Sequence, residues 1–167
     1  MVRMYRLKKI IVFQGVDEDQ LSVLQPYCEE LEFHDQDKLF TEGDPAEHLW
    51  AVLEGAVDLR FELPRKRPTS NAHSLSLVKT DRIKQEAKIF GWSCFVPPYK
   101  MQLSAYCVAN GTNIVRVAKK YLIRGFERYP QMGYVFLTNL ITVVGYRFHQ
   151  FQDEVKMSIG PSILASW

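Results

Sequence analysis

Cysteine is scarce in this sequence: Cys28, Cys94 and Cys107 stand far apart, and none belongs to a C-x-x-C pair. An odd, scattered set excludes a disulfide framework and reads as reduced, core-facing thiols, which places the chain in the cytoplasm. The four histidines, His34, His48, His73 and His149, lack the spacing of metal ligands, so no metal is expected. H-E-x-x-H, G-x-S-x-G and the phosphate-binding G-x-x-x-x-G-K-[ST] are all missing. Ser93 beside Cys94 has no base with it and makes no nucleophile system. Nothing supports catalysis, and the chain reads as a non-enzyme. No apolar run approaches the length of a membrane span. The basic start (Arg3, Arg6, Lys8, Lys9) precedes an apolar stretch, residues 10–13, too short for a signal peptide. A formal charge of +2 does not imply nucleic acid. The tail, residues 158–167, is too short for a helix-turn-helix. Neither DNA nor membrane is therefore expected as a partner.

What is present is the composition of a globular protein, 47% hydrophobic and 24% charged over 167 residues, enough for one domain with its own core. Asp17 followed by Glu18 and Asp19 predicts the start of a short helix to about Tyr27, with Pro26 marking its end. Leu31 and Phe33, then Leu39 and Phe40, predict two short strands. Residues 41–46, TEGDPA, predict a turn. Residues 48–53 form an apolar run suited to a covered strand, and Val57, Leu59, Phe61 and Leu63 alternate with Asp58, Arg60 and Glu62. Arg65, Lys66 and Arg67 mark a polar hairpin tip, a solvated loop end or a contact for an acidic partner. Leu75, Leu77 and Ile83 suggest another strand pair. Asn110-Gly111 is a hairpin turn, with Ile114, Val115 and Val117 in the strand beyond it.

The C-terminal third is helical. A short helix is predicted over 119–128, and a second begins near Tyr129-Pro130. Tyr134, Leu137, Ile141, Val144, Phe148, Phe151 and Val155 are spaced three and four apart in strict alternation. That is the seam of a two-stranded coiled coil and predicts a homodimer. Phe136, Leu140 and Val143 form a second stripe, suited to packing on the rest of the chain. A single broad face turned to the core is the competing reading.

The centre of the chain is residues 89–107, IFGWSCFVPPYKMQLSAYC. A Phe-Gly turn, a short segment, a double proline and a returning extended segment form a backbone cradle. This resembles the phosphate-binding cassette of the cyclic-nucleotide-binding domain found in catabolite-activator-type and FNR-type regulators. Residues 40–57, F-x-E-G-D-P-A-E-H-L-W-x-V-L-E-G-x-V, resemble the same family's succession of glycine turns and strands. The likeness covers nearly the whole chain and, in Gly-Trp-Ser…Pro-Pro-Tyr, is similar to a subgroup with a degenerate cassette. It implies a mainly β fold with flanking helices: a double-stranded β-helix (β-roll, or jelly roll) plus a long C-terminal dimerisation helix. The domain division would be 1–128 for the roll and N-terminal helix, 129–157 for the C-terminal helix, and 158–167 for the tail.

The resemblance also implies where a ligand would sit: Phe90, Gly91, Trp92, Ser93, Cys94, Tyr99, Leu103, Ser104 and Ala105. In the family a cassette glutamate accepts from the ribose hydroxyl and an arginine pairs with the cyclic phosphate. Here Trp92 stands at the glutamate position and Leu103 at the arginine position; Ser104 and Ala105 fit the pattern. Leucine offers neither charge nor donor, and a lost buried charge partner costs about 2–5 kcal/mol. Lys100 is the nearest basic replacement. Cyclic AMP and cyclic GMP are thus disfavoured, and no cofactor is expected. The readings that remain are a sensory or regulatory module with a small, non-standard ligand, and a ligand-free dimerisation or protein-docking module whose pocket is filled by its own side chains.

Overall fold

The period-two segments pair into two antiparallel sheets. The computed structural model describes residues 2–60 and 88–159. Strands β1 (Cys28–Phe33), β3 (His48–Glu54), β5 (Lys88–Phe90) and β7 (Thr112–Ala118) form one sheet in the order β1-β7-β3-β5. Strands β2 (Lys38–Phe40), β4 (Val57–Arg60) and β6 (Ser104–Cys107) form the other, in the order β2-β6-β4. Leu49, Trp50 and Ala51 are buried in succession, so β3, paired with β7 and β5 along its edges, is also covered on both faces. Among the described residues four helices flank the roll: α1 (Met4–Leu7), α2 (Glu18–Leu24), α3 (Lys119–Arg128) and α4 (Pro130–Ile159). This is the β-roll with flanking helices and a long C-terminal helix that the sequence implied.

Several details differ. Asp17 precedes α2, but its side chain makes no capping hydrogen bond. Glu18 and Asp19 occupy the first turn, where the helix dipole favours them. As expected, Pro26 stands at the end of the helix, within a 3-10 turn, Gln25–Tyr27, that follows α2. The N-terminal segment is part of the core: Val2, Leu7, Ile10, Val12 and Phe13 are buried. Its basic residues serve as surface ties, with Arg6 reaching Glu30 at 2.5 Å and Glu54 at 3.1 Å, and Lys8 paired with Glu18. The expected alternation beyond Arg60, the basic triplet Arg65, Lys66 and Arg67, and the strand pair at Leu75, Leu77 and Ile83 lie outside the described residues.

Helix α4 has two apolar faces. Met132, Phe136 and Leu140 are buried, and Val143 packs against the same core. The Phe136 ring meets Phe126 at 4.9 Å, Phe13 at 5.6 Å and Phe95 at 5.9 Å between centroids. It thus joins α3, the N-terminal segment and the loop after β5. The close approach of α3 to its neighbours needs Gly125, where a Cβ would come within 2.8 Å of Met132 and 2.9 Å of Leu24. On the opposite face, Tyr134, Leu137, Ile141, Phe148 and Phe151 are exposed. Val144 and Val155 are half-buried.

Two outcomes follow from this packing. Phe136→Ala should lower unfolding free energy by about 3–5 kcal/mol, the usual cost of emptying a buried aromatic site; urea denaturation measures it. The three thiols are buried, and desolvation pushes Cys28 and Cys94 up to about 12 and Cys107 up to about 11. Iodoacetamide at pH 8 should leave all three unmodified in the native protein and alkylate all three in urea. Rapid native alkylation of any one would contradict its placement in the core.

Candidate ligand-binding site

The cassette is held by a turn from elsewhere in the chain. Residues 41–46 close on themselves through Asp44 Oδ2, which accepts from the Thr41 N–H at 2.8 Å. They then join the cassette exit by backbone bonds. Gly43 N donates to Met101 O, Met101 N to Asp44 O, and Ala46 N to Tyr99 O, each at 2.8 Å. Ser104 is fully buried, and its Oγ accepts from the Glu42 N–H at 2.8 Å.

The cassette entry depends on Gly91. Its φ of +76° lies in the left-handed region, and a Cβ there would stand 2.7 Å from Trp50 Cδ1 and 3.0 Å from the His48 carbonyl. Glycine alone meets both conditions. A 3-10 turn, Trp92–Phe95, follows. It sends Cys94 into the core and Phe95 onto Phe136.

Between the turn and β6 lies an open pocket of about 110 Å³, lined by Phe40, Leu59, Gly91, Trp92, Ser93, Met101, Gln102 and Leu103. None of these described lining residues is charged. Of the residues expected at a ligand site, Gly91, Trp92, Ser93 and Leu103 are brought together here. Phe90 lies in the wall behind, stacked on Trp50 at 6.1 Å. Cys94, Ser104 and Ala105 are fully buried around the pocket rather than lining it. Tyr99 has a φ of +56° and lies on the outside, 46% exposed, with Lys119 Nζ 3.9 Å from its ring centroid. Lys100 is exposed on the same outer segment, bridged through its backbone to Pro45.

A cation from α4 lies against the cassette entry. The Arg147 guanidinium lies 4.6 Å from the Trp92 ring centroid and donates from Nη2 to the Ile89 carbonyl at 2.6 Å. Desolvation lowers its pKa to about 10, so it remains charged at neutral pH. It makes no ion pair among the described residues. The sequence carried one signal for it: Phe136, Leu140, Val143 and Arg147 continue a single inward stripe, and a cation on such a stripe needs a reason. Phe40, Leu59, Met101 and Gln102 were also not foreseen. They enter through tertiary approach, and no motif marks them.

The same fold is found in several solved structures. A protein named for cyclic nucleotide binding, from Geobacter metallireducens GS-15, superposes with a TM-score of 0.67 at 25% identity, covering 89% of this chain and 100% of its own. A cyclic nucleotide-binding domain from Methylobacillus flagellatus KT gives 0.68 at 17% identity, covering 96% and 84%. The sensor domain of the transcriptional regulator DNR from Pseudomonas aeruginosa gives 0.59 at 19%, covering 89% and 88%. No protein-family profile matches the chain, and no curated protein does. The fold is that of the cyclic-nucleotide-binding domain and of the sensor domains of catabolite-activator/FNR-type regulators. No helix among the described residues is long and apolar enough to cross a membrane.

Gly91→Ala should destabilise the cassette. The strained backbone and the clash with Trp50 and His48 together should cost about 1–3 kcal/mol. Thermal unfolding followed by tryptophan fluorescence reads this, and an unchanged midpoint would contradict the packing at Gly91.

Proposed function

We propose that this chain is a non-catalytic regulatory module that binds a small, non-standard ligand in the roll and reports it through α4, as a cytoplasmic homodimer. The observation that carries the reading is the pocket itself, formed where the cassette folds but lined by Trp92 and Leu103 instead of charged groups. A cyclic nucleotide would bring its phosphate charge against Leu103, and an unpaired buried charge is expensive. Trp92 also removes the acceptor for a ribose hydroxyl and adds bulk. The volume of about 110 Å³ lies well below the roughly 300 Å³ at which ordinary ligand pockets begin. That volume also favours the second reading, a docking or dimerisation module whose roll is largely filled by its own side chains. The Gly-Trp-Ser…Pro-Pro-Tyr cassette assigns the chain, on this reading, to a degenerate subgroup of the fold.

The output is argued from α4. Its outer stripe exposes Ile141 by 67% and Phe148 by 56%. A long helix with one face in the core and a heptad-spaced apolar face in water is suited to pairing with a second copy. A ligand shifts such a helix only by binding its alternative positions unequally. The neighbours include regulators of transcription; no DNA contact is assigned to this chain.

Calorimetry with cyclic AMP and cyclic GMP should give no binding, or dissociation constants far above micromolar, and Leu103→Arg with Trp92→Glu should restore some affinity. Micromolar binding by the unmodified protein would refute this part. Ile141→Glu with Phe148→Glu would place like charges across a buried seam. Sedimentation should then report monomer in place of dimer, while an unchanged, well-folded dimer would remove the seam.

A further inference from the structure

Helix α4 is attached to the cassette at two points. Phe136 meets Phe95, the last residue of the 3-10 turn, at 5.9 Å between ring centroids. Arg147 lies 4.6 Å from the ring centroid of Trp92, the first residue of that turn, and donates to the Ile89 carbonyl at 2.6 Å. The stretch of helix between the two points is about 16 Å long, at 1.5 Å per residue. Among the described residues, the apolar side chains of α4 that pack on the core end with Val144. Arg147 carries the attachment one turn further, to the cassette entry. One contact lets a helix pivot, whereas two fix its direction. The second contact also uses what arginine offers and lysine does not. A planar guanidinium can lie on an aromatic face while its N–H groups donate to a carbonyl.

From these contacts we infer that Arg147 is a positioning residue: it holds the Trp92 wall of the pocket and the distal part of α4, residues 143–157, in one fixed relation, so that neither moves alone. The inference rests on the reading of the roll as sensor and α4 as output, and it names the side chain that joins them. Arg147 does not line the pocket; it acts through Trp92, which does. Ile89, its other partner, is fully buried in β5 and gives the guanidinium a fixed anchor. The next residue along the helix, Phe148, is turned to the outer face. Inner contact and outer stripe thus share one turn of α4. A molecule that shifts the Trp92 ring takes away the surface under the guanidinium, and so favours release of the turn that carries Phe148.

Hydrogen exchange read by mass spectrometry on the full chain, with no ligand added, tests the link in Arg147→Met, Arg147→Lys, Trp92→Leu and the double variant Arg147→Met, Trp92→Leu. Arg147→Met should speed exchange across residues 143–157 by at least about tenfold, as loss of one charge-assisted hydrogen bond implies, and leave β3 and β7 unchanged. Trp92→Leu should speed the same residues severalfold, as loss of a cation–π contact implies. With Arg147→Met already in place, Trp92→Leu should add little, because the two substitutions remove one shared contact. Arg147→Lys, which keeps the charge without the fork, should fall between the unmodified protein and the methionine variant; it decides the matter if the methionine variant fails to fold. Unchanged exchange over residues 143–157 on replacing Arg147 overturns the inference. So do effects of the two substitutions that simply multiply, or faster exchange spread equally over β3 and β7, as a merely structural role would give. No ligand enters the measurement, so failure of the ligand reading, seen by calorimetry, stays distinct from failure of this link.

Discussion

Phe136 is the contact on which the rest of the arrangement depends. Its ring touches Phe13 from the N-terminal segment, Phe95 from the cassette and Phe126 from α3, with all three centroids within 5.9 Å. One side chain of α4 therefore registers the helix against three other parts of the fold. The rise and rotation of an α-helix then determine the remainder. Three turns beyond Phe136, Arg147 arrives at Trp92 and Ile89, while Ile141 and Phe148 are turned to the outside. A shift in that register would move the cation off the cassette and change the outer face together. Helix α4 and the cassette entry thus meet directly, through Arg147 at Trp92 and Ile89.

The pocket shows how a frame can persist while its chemistry changes. The backbone clamp between residues 41–46 and the cassette exit uses main-chain groups, Asp44 and Ser104, none of which depends on the ligand. Gly91 is required by a positive φ and by the Trp50 ring. These features hold the cassette in shape whatever occupies positions 92 and 103. At those positions Trp92 and Leu103 line a recess with no charged residue among its described walls. Likeness of fold to cyclic nucleotide-binding domains therefore says little about what enters this one.

The sequence was most legible where local rules coincide with tertiary need. The turn at residues 41–46, the strand at 48–53 and the Phe-Gly cassette entry are local patterns, and each forms near its expected place. The inner stripe of α4 was readable because helical periodicity is fixed by covalent geometry. Asp17 was less so: a residue type suited to capping stands in place, yet its side chain makes no such bond. The N-terminal segment gave no periodic signal, because a four-residue helix and a 3-10 turn bury Leu7, Ile10, Val12 and Phe13 through tertiary approach alone. Tyr99 lies beside the pocket in sequence but is turned away by its backbone. Arg147 is remote in sequence from Trp92 and adjacent in space, which no motif could report.

The central claim is that the roll retains a small molecule other than a cyclic nucleotide. Mass spectrometry of compounds released on denaturing natively purified protein tests it most directly. The account predicts a near-stoichiometric small molecule other than a cyclic nucleotide, absent from an equally treated Trp92→Glu, Leu103→Arg protein. Cyclic AMP or cyclic GMP released in that amount from the unmodified protein, or no compound that depends on it, would contradict the account.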